Sequence, residues 1–389
     1  MKRIAILFDG SLNDRKGLVN AVLSRSKHLI KIAKDMEIDI YNFSSYDDWL
    51  IRYLRKTTKT ECLEDTYIEG LKIKTYWYPF TIIDYILEIK CKYKAVCRSR
   101  AYLKRVTNFA KYDLISAHSM NCGSLAMEIN KKYGIPFVIT WHGSDIHTTP
   151  FTNKYKRYEV IRIAKKAKYN FFVSKALSLK SEEFISDIRK ELLYNGVAPT
   201  FICYDEKKKK ELRIKYKTEG KKIVCFAGNI IGIKNPETLP PIFKKVKEKY
   251  NYPVKFWIIG DGKLRHNIET LFKQYSLDYT CWGNIPSEFM PEMLNCVDVQ
   301  VLPSKNEGLP LITLEALACG ANVVGSNVGG ISEAIGKEFT YNLDNDFIEN
   351  ISTKIVELLN RKSKQELSDI FNWEKSAEKE YSLLNSIFE

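Results

Sequence analysis

The sequence predicts an α/β protein made of two Rossmann-like domains, and three observations lead there. The chain has 389 residues, more than the roughly 250–300 at which a single hydrophobic core stops growing. Apolar, strand-like runs alternate with amphipathic helical patterns, the order that builds a parallel, doubly wound sheet. The alternation lapses within residues 199–221 and then restarts.

The first half opens with a strand from Arg3 to Phe8, a polar turn from Asp9 to Gly17, and a helix marked by Val19, Val22, Leu23 and Leu29. Apolar spacing of three and four gives that helix one buried face. Apolar runs at 114–117, 137–141 and 169–173 continue the strand–helix alternation. The segment PTFICYDEKKKKELRIKYKTEGK carries a charge run without a core pattern at its start. The hinge is expected just before or within it, with KKKK as a solvated loop. From Lys222 the strands IVCF, VKFWII, YTCW, VQVL and ANVV are interleaved with helices through 236–249, from Leu264, through 287–295 and through 311–319. IVCF and FWII are apolar throughout and VQVL is broken only by Gln300, as strands covered on both faces should largely be.

Composition limits the function classes. A hydrophobic fraction of 45% and a charged fraction of 28% are ordinary for a globular protein. No run approaches the ~18 apolar residues of a membrane-spanning helix, and MKRIAILFDGSL reads as a buried strand, so a cytoplasmic chain is expected. The nine cysteines form no CxxC pair and are expected to be reduced core thiols. The formal charge of +14 belongs wholly to residues 1–198, which hold 35 Lys and Arg against 21 Asp and Glu, whereas residues 199–389 hold 26 of each. The first domain should therefore face something anionic. Within it, residues 86–111 carry eight basic residues against one acid, a pattern that fits either a helix lying on anionic headgroups or a solvated helix. The nearby Tyr76-Trp77-Tyr78-Pro79-Phe80 suits a lipid-linked acceptor or an edge of the core.

The segment Asn306 to Ala316, NEGLPLITLEA, carries the most specific chemistry. It follows the strand VQVLPS and enters a helix at Pro310, whose missing N–H costs nothing in a first turn. The free amides of that turn, on Gly308, Leu309 and Leu311, offer donors and the positive end of the helix dipole to a diphosphate. Glu307 before the helix and Glu315 within it are carboxylates able to accept diol hydroxyls from a sugar and a ribose. Lys234 lies between a buried strand and a helix beginning near Pro236, where an ammonium suits a diphosphate. His142 follows the strand FVITW and precedes Gly143, at the strand end where ligands of open α/β sheets sit. His118 ends the preceding strand and either faces the same cleft or is structural. Gly17 either lets backbone approach a phosphate or simply begins a helix.

Taken in order, YNGVAPTF, GDGKLRHNIETL, CVDVQVLPS, NEGLPLITLEA and ACGANVVGSNVGGISEAI, with HGSDI and VSKALSLK in the first half, resemble the retaining family 4 glycosyltransferases. The resemblance runs from about residue 112 to 336. It implies the B-type glycosyltransferase (GT-B) fold: an acceptor-binding domain over 1–198 and a nucleotide-sugar-binding domain over 199–370, facing a central cleft, with a terminal helix over 371–389 crossing back to the first domain and anchored by Trp373. It also implies that Glu307 holds the donor sugar and Glu315 the ribose. Lys234 and the phosphate-binding position at Asn229 bind the diphosphate, Asn284 and Ile285 lie against the base, and His142 lies near the anomeric carbon with Asp145 fixing its loop. Asn229 stands where the family usually has arginine. Gly17 takes the place of a flexible Gly-Gly loop.

The implied activity is transfer of a sugar from a UDP- or GDP-linked donor to a glycan or lipid-linked acceptor, in bacterial surface polysaccharide or glycoconjugate synthesis. An anionic membrane surface is an expected partner and nucleic acid is not. No cofactor or metal is expected, because Lys234 and the helix amides take the electrostatic role of a metal. Two other readings compete. A UDP-sugar epimerase would need further acid–base carboxylates, and a basic nucleic-acid or membrane binding module would not need Glu307, Glu315 and Lys234 in register.

Overall fold

A computed structural model describes residues 1–12, 17–56, 59, 62, 64–86, 108–361 and 363–389. Residues 87–107, most of the basic stretch, lie outside the described residues. The chain forms two compact units, Met1–Asn195 with Trp373–Glu389, and Gly196–Asn372. The break falls at Asn195/Gly196, three residues before the expected 198/199 boundary, and the terminal segment begins at Trp373, two residues after the expected 371.

The first unit contains β1 (Lys2–Phe8), β2 (Met36–Asp47), β3 (Asp65–Ile68), β4 (Leu71–Phe80), β5 (Leu114–His118), β6 (Phe137–Trp141), β7 (Asn170–Phe172) and β8 (Lys190–Leu192). They form one sheet in the order β3-β4-β2-β1-β5-β6-β7-β8. β3 runs antiparallel to β4, and the remaining pairs are parallel. The helix Gly17–Ile32 buries Val19, Val22, Leu23 and Leu29 against Ile4, Ile6 and Phe8. Each such side chain contributes roughly 1.5–3 kcal/mol when fully buried. Ala377 and Leu384 of the terminal helix Trp373–Asn385 join the same cluster, with Trp373 3% exposed. That helix is sewn in by Tyr381 Oη donating to Asp35 (2.8 Å) and Lys379 Nζ donating to Leu192 O (3.1 Å).

The second unit holds β9 (Lys222–Ala227), β10 (Val254–Ile259), β11 (Tyr279–Gly283), β12 (Val299–Leu302), β13 (Asn322–Ser326) and β14 (Thr340–Tyr341). Their order is β11-β10-β9-β12-β13-β14, all parallel. In each unit the chain builds outward from one strand and then returns to its other side, at β1/β5 and at β9/β12. Those reversals open a crevice at the strands' carboxyl ends, where α/β sheets bind ligands.

Several expectations are corrected. Lys207–Lys210 lie in a helix, Glu206–Lys215, because Asp205 caps it by accepting from Lys208 N (2.8 Å) and Leu212 anchors its inner face. Lys207, Lys208 and Lys210 are exposed, whereas Lys209 turns back onto the Cys203 thiol (3.1 Å). Pro310 is extended (φ −74°, ψ 110°) and precedes the helix Leu311–Ala318 instead of occupying its first turn. Among the described cysteines all are free thiols, yet Cys62 and Cys203 are exposed, not core.

Candidate functional site

In the second unit the site grows from the reversal between β9 and β12. β9 runs into Gly228 (φ +153°) and a loop that closes in a single 3₁₀ turn, Gly232–Lys234. Lys234 Nζ lies 2.5 Å from Glu307 Oε1, and Ser304 Oγ donates to the same oxygen at 2.6 Å. The two loops are also joined through backbone, Lys305 N donating to Ile233 O at 2.8 Å. Lys234 and Glu307 keep 20% and 11% of their side-chain surface exposed, enough for a ligand to reach both.

Glycines press adjoining turns onto these loops. At Gly329 (φ +52°) a Cβ would lie 1.8 Å from the carbonyl oxygen of Glu307. Gly330 N donates to Gly308 O at 3.0 Å. The turn after β13 therefore backs the Glu307 loop, and only glycine fits there. At Gly260 and Gly262 a Cβ would lie 2.1 and 2.4 Å from the carbonyl oxygens of Gly228 and Ile230. The GDG turn supports the Lys234 loop by close packing.

The Glu307 loop continues through buried Gly308, Leu309 and Pro310 into the helix beginning at Leu311. Glu315 sits in that helix. Part of its surface reaches solvent, but neighbouring atoms enclose it closely enough that burial pushes its carboxyl up to about 7. It has no hydrogen-bond or ion-pair partner among the described residues. An enclosed carboxylate without a partner is costly, which is the signature of a group kept for a ligand. Asn229 opens the Lys234 loop, half-buried, its side chain without a hydrogen bond among the described residues. Exposed Asn284 and half-buried Ile285 follow β11, separated from β9 by β10. Lys234, Glu307 and the 308–311 segment thus come together, Glu315 follows on the same helix, and Asn284 and Ile285 stand two strands away from β9.

In the first unit His118 ends β5, and His142 follows β6 ahead of Gly143 (φ +155°). His118 Nδ1 and His142 Nε2 are 3.0 Å apart, so one ring donates and the other accepts. Burial and the nearby Arg25 guanidinium push His142 down to about 3. Burial, with His142 and Arg25, also drives His118 well below the ordinary histidine range. The pair is neutral at physiological pH. Asp145 accepts from Met120 N at 3.2 Å, tying the 143–147 turn to the helix after β5. Burial and the Asp9 charge push its carboxyl up to about 7.

Gly17 begins its helix with ordinary φ, and a Cβ there would touch nothing within 4 Å. Nothing in the structure demands glycine at that position. The tighter residue is Gly10, where a Cβ would lie 2.5 Å from Val19 Cγ2.

Sequence reasoning missed the group at the β1/β5 reversal. Asp9 accepts from Ser119 Oγ (2.5 Å) and Asn121 Nδ2 (2.6 Å), and Ser119 sits at φ +82°. A non-glycine residue at positive φ marks stored strain, commonly at functional sites. The available signal was Asp9 itself, an acid directly after a buried strand. No group of three or more His, Cys, Asp or Glu among the described residues could hold a metal ion.

The chain matches the family Glycosyl transferases group 1 over residues 207–372 and Glycosyltransferase Family 4 over residues 79–223. It is 27% identical over 227 residues to the putative teichuronic acid biosynthesis glycosyltransferase TuaC of Bacillus subtilis, covering 58% of this chain and 56% of that one. It is 27% identical over 259 residues to the UDP-Gal:alpha-D-GlcNAc-diphosphoundecaprenol alpha-1,3-galactosyltransferase of Escherichia coli, covering 62% of this chain and 65% of that one. The chain thus spans little more than half to two-thirds of these relatives' lengths. Among solved structures, Anabaena HepE in complex with UDP and glucose superposes with a TM-score of 0.74 at 14% identity, covering 99% of this chain and 100% of that one. That likeness concerns the fold. With both family matches lying in order along two parallel-sheet units, the chain belongs to the family 4 glycosyltransferases of GT-B fold.

Proposed function

We propose that the protein transfers a sugar, with retention of configuration, from a UDP- or GDP-linked donor to a glycan or lipid-linked acceptor in surface polysaccharide or glycoconjugate synthesis. The observation that carries this reading is the Lys234–Glu307 pair at the β9/β12 reversal, followed by Glu315, whose carboxylate has no partner among the described residues. The two relatives' names, one of polysaccharide synthesis and one with a lipid diphosphate acceptor, support the acceptor class.

In this mechanism the bond from the sugar's anomeric carbon to the diphosphate breaks and a bond to the acceptor oxygen forms on the same face. The acceptor's proton passes to the departing diphosphate. Lys234 and the N–H groups opening the helix Leu311–Ala318 stabilise the charge developing on that diphosphate. Glu307 exchanges its bond to Lys234 for sugar hydroxyls, and Glu315 takes the ribose diol. His142 is held neutral within the first unit, so it brings no positive charge to a ligand there. A thermal-shift screen with UDP, GDP, ADP and their sugars tests the reading. Stabilisation by one uridine or guanosine donor, with slow hydrolysis of it, is expected. No stabilisation by any of them contradicts the reading.

An anionic membrane is the partner that the first unit's surface favours. Trp49, Tyr53 and Leu54 on the helix Trp49–Arg55, with Ile83 and Ile86 on the helix Ile82–Ile86, are 72%, 79%, 58%, 66% and 47% exposed. The Arg55 guanidinium joins the two helices, 4.8 Å from the Phe80 ring and 5.8 Å from that of Tyr85. Arg52, Arg55 and Lys56 accompany these apolar groups, and residues 87–107, next in sequence, carry seven basic residues against one acid. No helix among the described residues is long and apolar enough to cross a membrane. Flotation with phosphatidylglycerol vesicles, weakened by Trp49→Ala with Tyr53→Ala, is expected. Absence of flotation at low salt removes this partner.

A further inference from the structure

The two oxygens of the Glu307 carboxylate are in unequal surroundings. Lys234 Nζ and Ser304 Oγ both donate to Oε1, at 2.5 and 2.6 Å, and among the described residues no hydrogen bond reaches Oε2. The two donors are also held differently. Lys234 ends a long side chain, 20% exposed, on the 3₁₀ turn Gly232–Lys234. Ser304 is fully buried two residues after β12, and Ser326 Oγ at the end of β13 donates to its carbonyl oxygen. Its hydroxyl therefore stands on backbone tied to two neighbouring strands, and one torsion, χ1, places it.

This difference decides what happens when a donor arrives. The lysine ammonium is a mobile point charge that can turn to a diphosphate. The serine hydroxyl has no such alternative, because a carboxylate only accepts and each of its oxygens takes two hydrogen bonds. With Lys234 drawn away, Ser304 is the one donor left on Glu307 among the described residues. A hydrogen bond to a charged acceptor is of the stronger kind, and this one fixes the carboxylate with Oε2 bare.

We propose that Ser304 is a positioning residue for recognition of the donor sugar. Its hydroxyl anchors Oε1 of Glu307 while Lys234 turns to the diphosphate, so that Oε2 meets the sugar hydroxyls in a set orientation. This rests on the donor reading of the Lys234–Glu307 pair and adds the group that keeps Glu307 in place during the exchange.

The test is calorimetric titration of UDP-glucose, UDP-N-acetylglucosamine and GDP-mannose, each beside free UDP or GDP, into wild type, Ser304→Ala, Glu307→Ala and the double variant. The quantity read is the ratio of sugar-nucleotide to nucleotide affinity, since a general disturbance of the loop lowers both together. For the donor that the wild type binds, Ser304→Ala is expected to lower this ratio about three- to tenfold, with affinity for the free nucleotide held within about twofold. In the Glu307→Ala background the same substitution should change the ratio by less than about 1.5-fold, because the two residues act through one bond. An unchanged ratio in Ser304→Ala, equal losses for nucleotide and sugar nucleotide, or an undiminished drop without the Glu307 carboxylate would each overturn the assignment and leave the donor reading standing. Absence of sugar-nucleotide binding to the wild type would overturn the donor reading and this assignment with it.

Discussion

Lys234 Nζ and Glu307 Oε1 meet at 2.5 Å across the carboxyl ends of the neighbouring strands β9 and β12, although 73 residues separate them in sequence. Without ligand each charge neutralises the other. A donor must part them, its diphosphate taking the ammonium and its sugar the carboxylate.

Glu307→Gln is therefore expected to separate the two halves of donor binding. The amide releases Lys234 for phosphate, so the affinity for UDP or GDP alone should hold or rise. The extra affinity of the sugar-bearing nucleotide should fall about tenfold, or ~1.4 kcal/mol. Calorimetric titration of both ligands into wild type and variant checks this. Parallel losses for both would count against the exchange.

Glu315 gives a pH signature. Burial raises its carboxyl to about 7 from the ordinary 4.5, so the native state holds that proton more tightly than the unfolded state. Stability is full below about pH 4.5 and falls as pH rises to about 7. Glu315→Gln should remove the fall and stabilise the protein at pH 8 by about 1–2 kcal/mol, allowing for partial exposure. It should also weaken donor binding. Urea unfolding at pH 5 and 8 reads the first effect and nucleotide titration the second.

Gly329→Ala puts a Cβ within 1.8 Å of the Glu307 carbonyl oxygen, in a left-handed conformation. The expected result is a stability loss above ~1 kcal/mol and a drop in donor affinity of tenfold or more, as the Glu307 loop shifts. Gly17→Ala, with open space at its Cβ, should leave the melting temperature unchanged. Equal behaviour of the two variants would contradict this account of the loop.

The histidine pair acts in the opposite direction from Glu315. Burial and Arg25 hold His142 at about 3, below its ordinary 6.5, so the unfolded state binds protons first as pH falls. That contribution is present above about pH 6.5 and is lost progressively as pH falls toward 3. His142→Asn should flatten this acid-side loss in melting curves taken between pH 7 and 5. The pH–rate profile of the wild type should show no histidine limb from this residue.

Much of the fold is legible in sequence where strands are buried on both faces. IVCF announces β9 because no polar residue interrupts it, and VQVL announces β12 although Gln300 breaks its apolar run. β2 is harder to see, since EIDIYNFSSYD mixes exposed and buried positions and pairs on both sides with strands far along the chain. The site was legible as separate residues. Glu307, Glu315 and Lys234 stand in recognisable surroundings, but their pairing spans 73 residues and no local pattern encodes it. The same limit hid Asp9, whose partners Ser119 and Asn121 lie on the other side of the β1/β5 reversal. Gly329 was visible as one of two adjacent glycines, but only the approach of Glu307's backbone explains why it must be glycine.

The central claim is that the Lys234–Glu307 loops hold a nucleoside diphosphate sugar. Its most direct measurement is calorimetric titration of UDP- and GDP-sugars into the wild type and Lys234→Ala. Removal of a charge-assisted phosphate contact is expected to cost about 1.5–3 kcal/mol. One donor should therefore bind the wild type saturably and the variant at least tenfold more weakly. Equal affinity for the two proteins, or no binding of any donor to the wild type, would contradict the claim.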